Sequence, residues 1–297
     1  ISNGLSDFVF MEKDKAKVFV NSPNAINGNS QDKNDFSSAK FQSESTGLVD
    51  FIGTETEIIS GIRELISVLP ANNEDDMSYI ECTDDLNRLT PELEGRISDP
   101  ALALNIISDS GYVLEVKKNF AREMFTGFIR LNGNTVGVVA NRRALYDDNG
   151  EIADEFENVL SHQGSDKAAG FVEFCDAFNI PVLTLVDVKG YRATKCSEKR
   201  MPKAGAKLTY AYANATVPKV SLIVGDAYGS ASLSMNSKSI GADIVFAWEN
   251  AKMGMMNASE AVKIIYSKEI DSSEDIKATL DEKTREYENL QNSAVYA

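Results

Sequence analysis

The 297-residue chain is 43% hydrophobic and 25% charged, ordinary values for a globular protein with a substantial core, and no apolar run approaches the ~18 residues of a membrane span. Its formal charge of −15 argues against a nucleic-acid partner, because an acidic surface repels phosphate. A Ser-His-Asp hydrolase or a multi-histidine metal site would have to be built around the single histidine, His162. That residue lies in the polar stretch 160–164 and reads as a loop histidine without a catalytic or metal role.

The opening Ile1-Ser2-Asn3-Gly4 has neither the basic flank nor the apolar stretch of a signal peptide. Cys82, Cys175 and Cys196 are too scattered for a zinc pattern and odd in number, which fits reduced thiols in a cytoplasmic protein. Cys175 reads as core, and Cys196, among cations, has no support for a reactive role.

In chain order, Phe8-Val9-Phe10 and Val18-Phe19-Val20 predict two short strands, followed by a polar excursion over 21–46. Ile58, Ile62, Leu65, Ile66 and Leu69 recur at helical spacing, and Pro70 closes that helix. Residues 71–76 form the best linker candidate. The runs 128–131 and 136–139 flank Asn132-Gly133-Asn134-Thr135, a hairpin signal. A mixed stretch of some 25 residues from Arg142 precedes a helix with Ala168, Phe171, Val172, Cys175 and Phe178 on one face. Buried strands are predicted at 181–186, from Val220, and at 244–248, with a small-residue helix over 204–215 and a charged, helix-prone tail ending at Ala297. Strands alternating with helices indicate an α/β layered domain.

Those three strands lead into Asp187-Val188-Lys189-Gly190-Tyr191, Tyr228-Gly229-Ser230-Ala231 and Met253-Gly254-Met255-Met256. Ligands of open α/β sheets gather beyond the carboxyl ends of strands, and a helix starting there offers amides without internal partners. Such amides suit an anionic oxygen, including the oxyanion of an acyl-transfer step. The same small residues also suit tight helix-on-strand packing, so spacing alone leaves both readings open.

The segments FTGFIRLNGNTVGVVAN, SDKAAGFVEFCDAFNIPVLTLVDVKGY and GAKLTYAYANATVPKVSLIVGDAYGSASLSMNSKSIGADIVFAW, with the ordered series FCDAFNIP, GAKLTYA, ATVPK and AYGSA, carry a resemblance. They resemble the carboxyltransferase subunits of biotin-dependent acyl-CoA carboxylases, among them propionyl-CoA carboxylase, transcarboxylase and the sodium-pumping acyl-CoA decarboxylases. The resemblance runs from about Asp7 to the end. It implies an α/β, crotonase-like spiral of ββα units. Residues 1–76 match only the tail of a CoA-facing N-terminal half, and 77–297 match a biotin-facing C-terminal half that stops early, as in a fragment or one member of a split pair.

The implied chemistry moves a carboxyl group between carboxybiotin, borne on a separate carrier domain, and the α-carbon of a short acyl-CoA. A decarboxylase would run the same half-reaction in reverse. A crotonase-like CoA hydrolase or isomerase is the different class, and would need a placed carboxylate base; a non-catalytic scaffold is a third possibility. The implied partners are acyl-CoA, a biotin carrier protein with biotin carboxylase or membrane decarboxylase subunits, the missing N-terminal half, and further copies of the chain, because the family's site lies between protomers.

Residue by residue, the family's oxyanion loop AYGGAY falls on residues 227–232, so the amides of Ser230 and Ala231, with Gly229, are the implied catalytic groups. The DVPGF loop falls on Asp187-Val188-Lys189-Gly190-Tyr191, where lysine replaces proline, and Val188, Lys189, Gly190 and Tyr191 with Tyr228, Gly254 and Met255 are the implied biotin contacts. Ser230 stands where the loop usually has a second glycine, and the position tied to acyl size falls on Leu233. From Lys189 to Lys207, seven basic residues (189, 192, 195, 199, 200, 203, 207) face one acid, Glu198, a net of +6. That stretch is either a solvated loop or an anion site in which Arg192 meets substrate, coenzyme A phosphates or an acidic carrier.

Overall fold

The computed structural model describes residues 2–76, 78–147, 149–273 and 275–294. Met77, at the expected boundary between halves, and the chain end at Ala297 lie outside the described residues.

The first segment contributes β1 (Phe10–Glu12) and β2 (Phe51–Gly53), paired in parallel, and α1 (Glu55–Val68). Thr54 and Glu57 close a reciprocal capping box that fixes where α1 starts. The expected strand at 18–20 does not form. Phe19 and Val20 are exposed, and only Val18 hydrogen-bonds outward, to the Ser37 carbonyl.

The chain continues through α2 (Pro100–Ile107), β3 (Val113–Glu115), β4 (Met124–Leu131) and β5 (Asn134–Asn141). A hairpin β6 (Ala144–Tyr146) and β7 (Ile152–Glu155) fills the stretch read as merely mixed. Next come α3 (His162–Ala177), β8 (Val182–Val188), α4 (Lys195–Asn214), β9 (Lys219–Tyr228), α5 (Gly229–Ser234), β10 (Ile244–Ala247), β11 (Lys252–Gly254), α6 (Ala258–Ile265) and α7 (Ile276–Tyr287).

The central mixed sheet runs β3-β4-β5-β8-β9-β10, with β11 pairing the far end of β9. The hairpin β4-β5 turns on Asn132 and Gly133 alone, both at positive φ. From β5 through β8 and β9 to β10 the pairing is parallel, which aligns the carboxyl ends of these strands at one edge.

Alternation along the strands sorts the core onto two faces. Met124, Phe128, Val139 and Val186 pack under α3 and α4 with Phe171, Val172, Cys175, Leu208 and Tyr212. Phe125, Ile129, Val138 and Leu185 face Leu104 of α2. Each such aromatic or aliphatic side chain contributes roughly 1.5–3 kcal/mol on burial. The strand β10 is not the buried strand expected: it is an edge, with Ile244 and Phe246 half exposed.

The first segment has little core of its own. Met11, Ala39 and Val49 are its separate buried cluster, while Leu65 and Val68 of α1 belong to the main core. Phe8 docks edge-on against Phe174 at 4.8 Å. Residues 2–76 therefore lean on the sheet. Among the described residues, no helix is long and apolar enough to cross a membrane.

Candidate functional site

The carboxyl end of β9 is bent away from β8. Val186 pairs with Ile223 and Val188 with Ala227, so Asp187 alone faces residues 224–226. That three-against-one mismatch is an irregular bulge, a device that re-aims a strand end. Asp187 fills it: its carboxylate accepts the Asp226 amide at 2.9 Å and Asn158 Nδ2 at 2.8 Å, and pairs with Arg143 Nε at 2.8 Å. Only glycine fits opposite, because a Cβ on Gly225 would lie 2.5 Å from Asp187 Oδ1.

Asp226 itself is partly buried, 3.3 Å from Asn158 Nδ2 and 3.7 Å from Lys189 Nζ. Burial, then the neighbouring Asp187, pushes its carboxyl above the ordinary value of 3.8, against the pull of Lys189, Lys252 and Arg143.

Beyond the bulge, Tyr228 is buried, and burial followed by Asp226 and Glu288 pushes its hydroxyl up to about 12. Gly229 then adopts φ +59°, which turns the chain into α5, and a Cβ there would sit 3.1 Å from the Met255 carbonyl. The cap position, Tyr228, lends no side chain to the first amides of α5. The helix itself has no acceptors for them. Within this small-residue turn Ser230 is exposed and Ala231 is buried.

A cleft of about 390 Å³ opens between the loop after β8, the inner face of α4, and α5. It joins Tyr191, Arg192 and Ser230 from the expected set to Met201, Gly205, Thr209 and Ser234. The Tyr191 hydroxyl lies 3.3 Å from Ser234 Oγ, and Thr209 Oγ1 donates to Ser234 Oγ at 3.0 Å. The Arg192 guanidinium is 3.9 Å from both Glu123 and Glu157.

Other expected residues fall elsewhere. Val188, expected as a biotin contact, has its side chain fully buried in the main core and outside the cleft lining. Lys189 turns toward Asp226 rather than the cleft, and Gly190 gives its carbonyl to the Leu160 amide. Gly254 pairs with Tyr228, and Met255 approaches Gly229 through its carbonyl; Met255 is 83% exposed. Leu233 is exposed and does not line the cleft.

His162 is not a loop residue. It opens α3 behind the Ser161 cap and is buried, because the helix begins earlier than its apolar face suggests. The basic stretch is not a loop either: from Lys195 it is helical, and α4 carries Pro202 inside it.

Sequence reasoning missed Met201, Gly205 and Thr209. Their signal was a four-residue recurrence, which stacks them on one helix ridge. It also missed the Asp187–Asn158–Arg143 contacts, which join residues far apart in the chain. Among the described residues, no group of three or more His, Cys, Asp or Glu side chains is placed to hold a metal ion.

The carboxyl transferase domain model matches residues 2–297. The chain is 37% identical to the methylmalonyl-CoA decarboxylase subunit alpha of Propionigenium modestum, covering 99% of this chain and 58% of that protein. It is also 37% identical to a putative propionyl-CoA carboxylase beta chain of Bacillus subtilis, with the same coverage. The transcarboxylase 12S crystal structure with hydrolysed methylmalonyl-coenzyme A bound superposes with a TM-score of 0.87 at 34% identity, covering 99% of this chain and 57% of that one. The chain thus spans somewhat more than half the length of these relatives. With the domain matched from end to end and the α/β sheet shared with transcarboxylase 12S, this chain belongs to the carboxyl transferase domain family.

Proposed function

We propose that the chain is the biotin-facing part of a carboxyltransferase, moving a carboxyl group between biotin on a carrier domain and the α-carbon of a short acyl-CoA. Carboxylation and decarboxylation are the two directions of this one step. The supporting observation is the cleft, in which Tyr191, Arg192 and the start of α5 converge beside the left-handed turn at Gly229.

The residues fit the group. Hydroxyls of Tyr191, Thr209 and Ser234 and the apolar side chain of Met201 border a space of about 390 Å³. Biotin, when bound, supplies a ureido nitrogen that takes up or releases the carboxyl group. The amides of Ser230 and Ala231 donate to the ureido oxygen and hold negative charge there, in place of an acid or a nucleophile. Arg192 holds the carboxylate being transferred, and Tyr228 backs the turn. The Ser230 side chain narrows the entrance, and Leu233 bounds the acyl group on the far side of α5.

In this reading residues 78–294 form a crotonase-like spiral, and residues 2–76 end a CoA-facing half. A second protomer or half brings the acyl-CoA, so the working unit is at least a dimer. The test is incubation with free biotin and methylmalonyl-CoA or malonyl-CoA, together with a complementary N-terminal half. Biotin-dependent release of CO2 is expected. Its absence sinks the reading. The cleft's carboxylate, Glu198, supports a hydrolase or isomerase only if CoA release or double-bond migration proceeds without biotin.

A further inference from the structure

The lysines of α4 form a single row. Lys195, Lys199, Lys203 and Lys207 follow one another at four-residue intervals, all exposed, with Arg200 beside them. At 100° per residue the five span about 140° of the helix circumference, and from first to last they cover roughly 18 Å along the axis. Among the described residues, none of the five has a carboxylate within 4.0 Å.

This arrangement works against the helix that carries it. Like charges four residues apart repel, and three such pairs follow in series. Lys195 is the first residue of α4, and Lys199 and Arg200 lie within its first two turns, where the helix dipole already presents its positive end. The chain as a whole carries 45 acidic residues against 30 basic ones, so neutralising acids were abundant, yet among the described residues Glu198 is the one acid on this helix and it pairs with none of the row within 4.0 Å.

The row also has a definite place. The face of α4 with Met201, Gly205 and Thr209 lines the cleft, and Ala206 at its margin is adjacent to the lysine ridge. Cations therefore run along the rim of the cleft for most of the length of the helix's first three and a half turns.

We propose that this ridge is the docking surface for the acidic face of the carrier domain, which lays its charge along α4 while its biotin arm enters the cleft. This rests on the carboxyltransferase reading above. The length of the row favours a protein surface over a single phosphate or carboxylate, each of which two or three cations satisfy. The ridge raises the encounter rate and the affinity for the carrier, and leaves the chemical step to the cleft.

The test is the charge reversal Lys195→Glu, Lys199→Glu, Lys203→Glu in the full chain, with the corresponding Lys→Arg triple as the control for folding and for charge. Titration against a biotinylated carrier domain with an acidic face is read without turnover, at low and at moderate salt. Reversal is expected to weaken carrier binding at least tenfold at low salt and to flatten its salt dependence. The arginine triple keeps wild-type affinity, and CO2 release with free biotin stays at the wild-type rate. Unchanged carrier affinity overturns the proposal. So does loss of self-association on reversal, which assigns the ridge to another copy of the chain, or weakened coenzyme A binding with carrier binding intact. Wild-type protein that binds the carrier through the ridge but shows no biotin-dependent CO2 release would retain the docking surface and refute the carboxyltransferase reading instead.

Discussion

The two ends of β9 are built in opposite ways. At its start, every loose group is tied down. Lys219, buried, donates its ammonium to the carbonyls of Tyr212 and Ala215 at the end of α4, and its amide to Asp243. Its carbonyl takes the Asp243 amide at 2.9 Å. At its finish, the strand leaves its ladder through the bulge and turns at a left-handed glycine into a helix whose cap residue lends it no side-chain acceptor. One end spends its polar groups on the fold, and the other is the end to which the proposed function assigns a ligand. The backbone at the functional end is consequently held by side chains from elsewhere, above all by Asp187.

The widest test of that contrast is Asp187→Ala. The carboxylate is nearly fully buried and serves the Asp226 amide, Asn158 and Arg143, so its removal strands several polar groups at once. A loss of about 3–5 kcal/mol in urea denaturation is expected, and Asp187→Asn, which still accepts the amide bond, should lose less than half of that. Carboxyl transfer should collapse in the alanine variant. A near-wild-type melt would mean that the bulge stands without Asp187.

Lys219→Met probes the other end. Two helix-end carbonyls lose their buried donor, at a cost of about 2–3 kcal/mol. Here turnover per folded molecule should be unchanged below the melting transition. If turnover fell with stability, the start of β9 would not be the purely structural end described.

How much of this was legible beforehand follows from range. The strands β8 and β9, the hairpin at Asn132-Gly133 and the face of α3 are written in local periodicity, and local periodicity is what a sequence displays. The turn at Gly229 was visible as a run of small residues after an apolar strand. Asp187 was visible as a residue but not as a role, since its partners Asn158, Asp226 and Arg143 are 29 to 44 positions away in the chain and only the folded sheet joins them. The start of α4 was hidden because seven basic residues and Pro202 read as a loop, while the Thr194 cap that begins the helix is a single threonine among many polar residues. Edge status was equally hidden: Ile244-Val245-Phe246 has the composition of a buried strand, and only sheet order makes it the border.

Gly229→Ala should cost about 1–2 kcal/mol, from the left-handed φ and from the Met255 carbonyl 3.1 Å away. Its effect on carboxyl transfer should be larger than that cost, because the amides of Ser230 and Ala231 turn with it. Stability would be read by thermal melting and turnover by CO2 release. Equal losses in both would place Gly229 in the fold and outside the site.

The smallest effect is the most diagnostic of an end kept open. Burial and Asp187 raise the Asp226 carboxyl above 3.8, so its ionised form is held at a disadvantage in the folded chain at neutral pH. The stability that this group contributes is full below 3.8, where it is protonated folded and unfolded alike, and is lost as pH rises through its folded value. Asp226→Asn carries no charge to strand, so at pH 8 it should melt roughly 1–3 °C above the wild type, with the gap closing as pH falls below 4. The exposed pair with Lys189 at 3.7 Å opposes this only weakly. If the variant instead melted lower at pH 8 and stayed lower at pH 4, Asp226 would be holding the bulge through Lys189 and Asn158. The finish of β9 would then be tied down by its own side chains as firmly as its start.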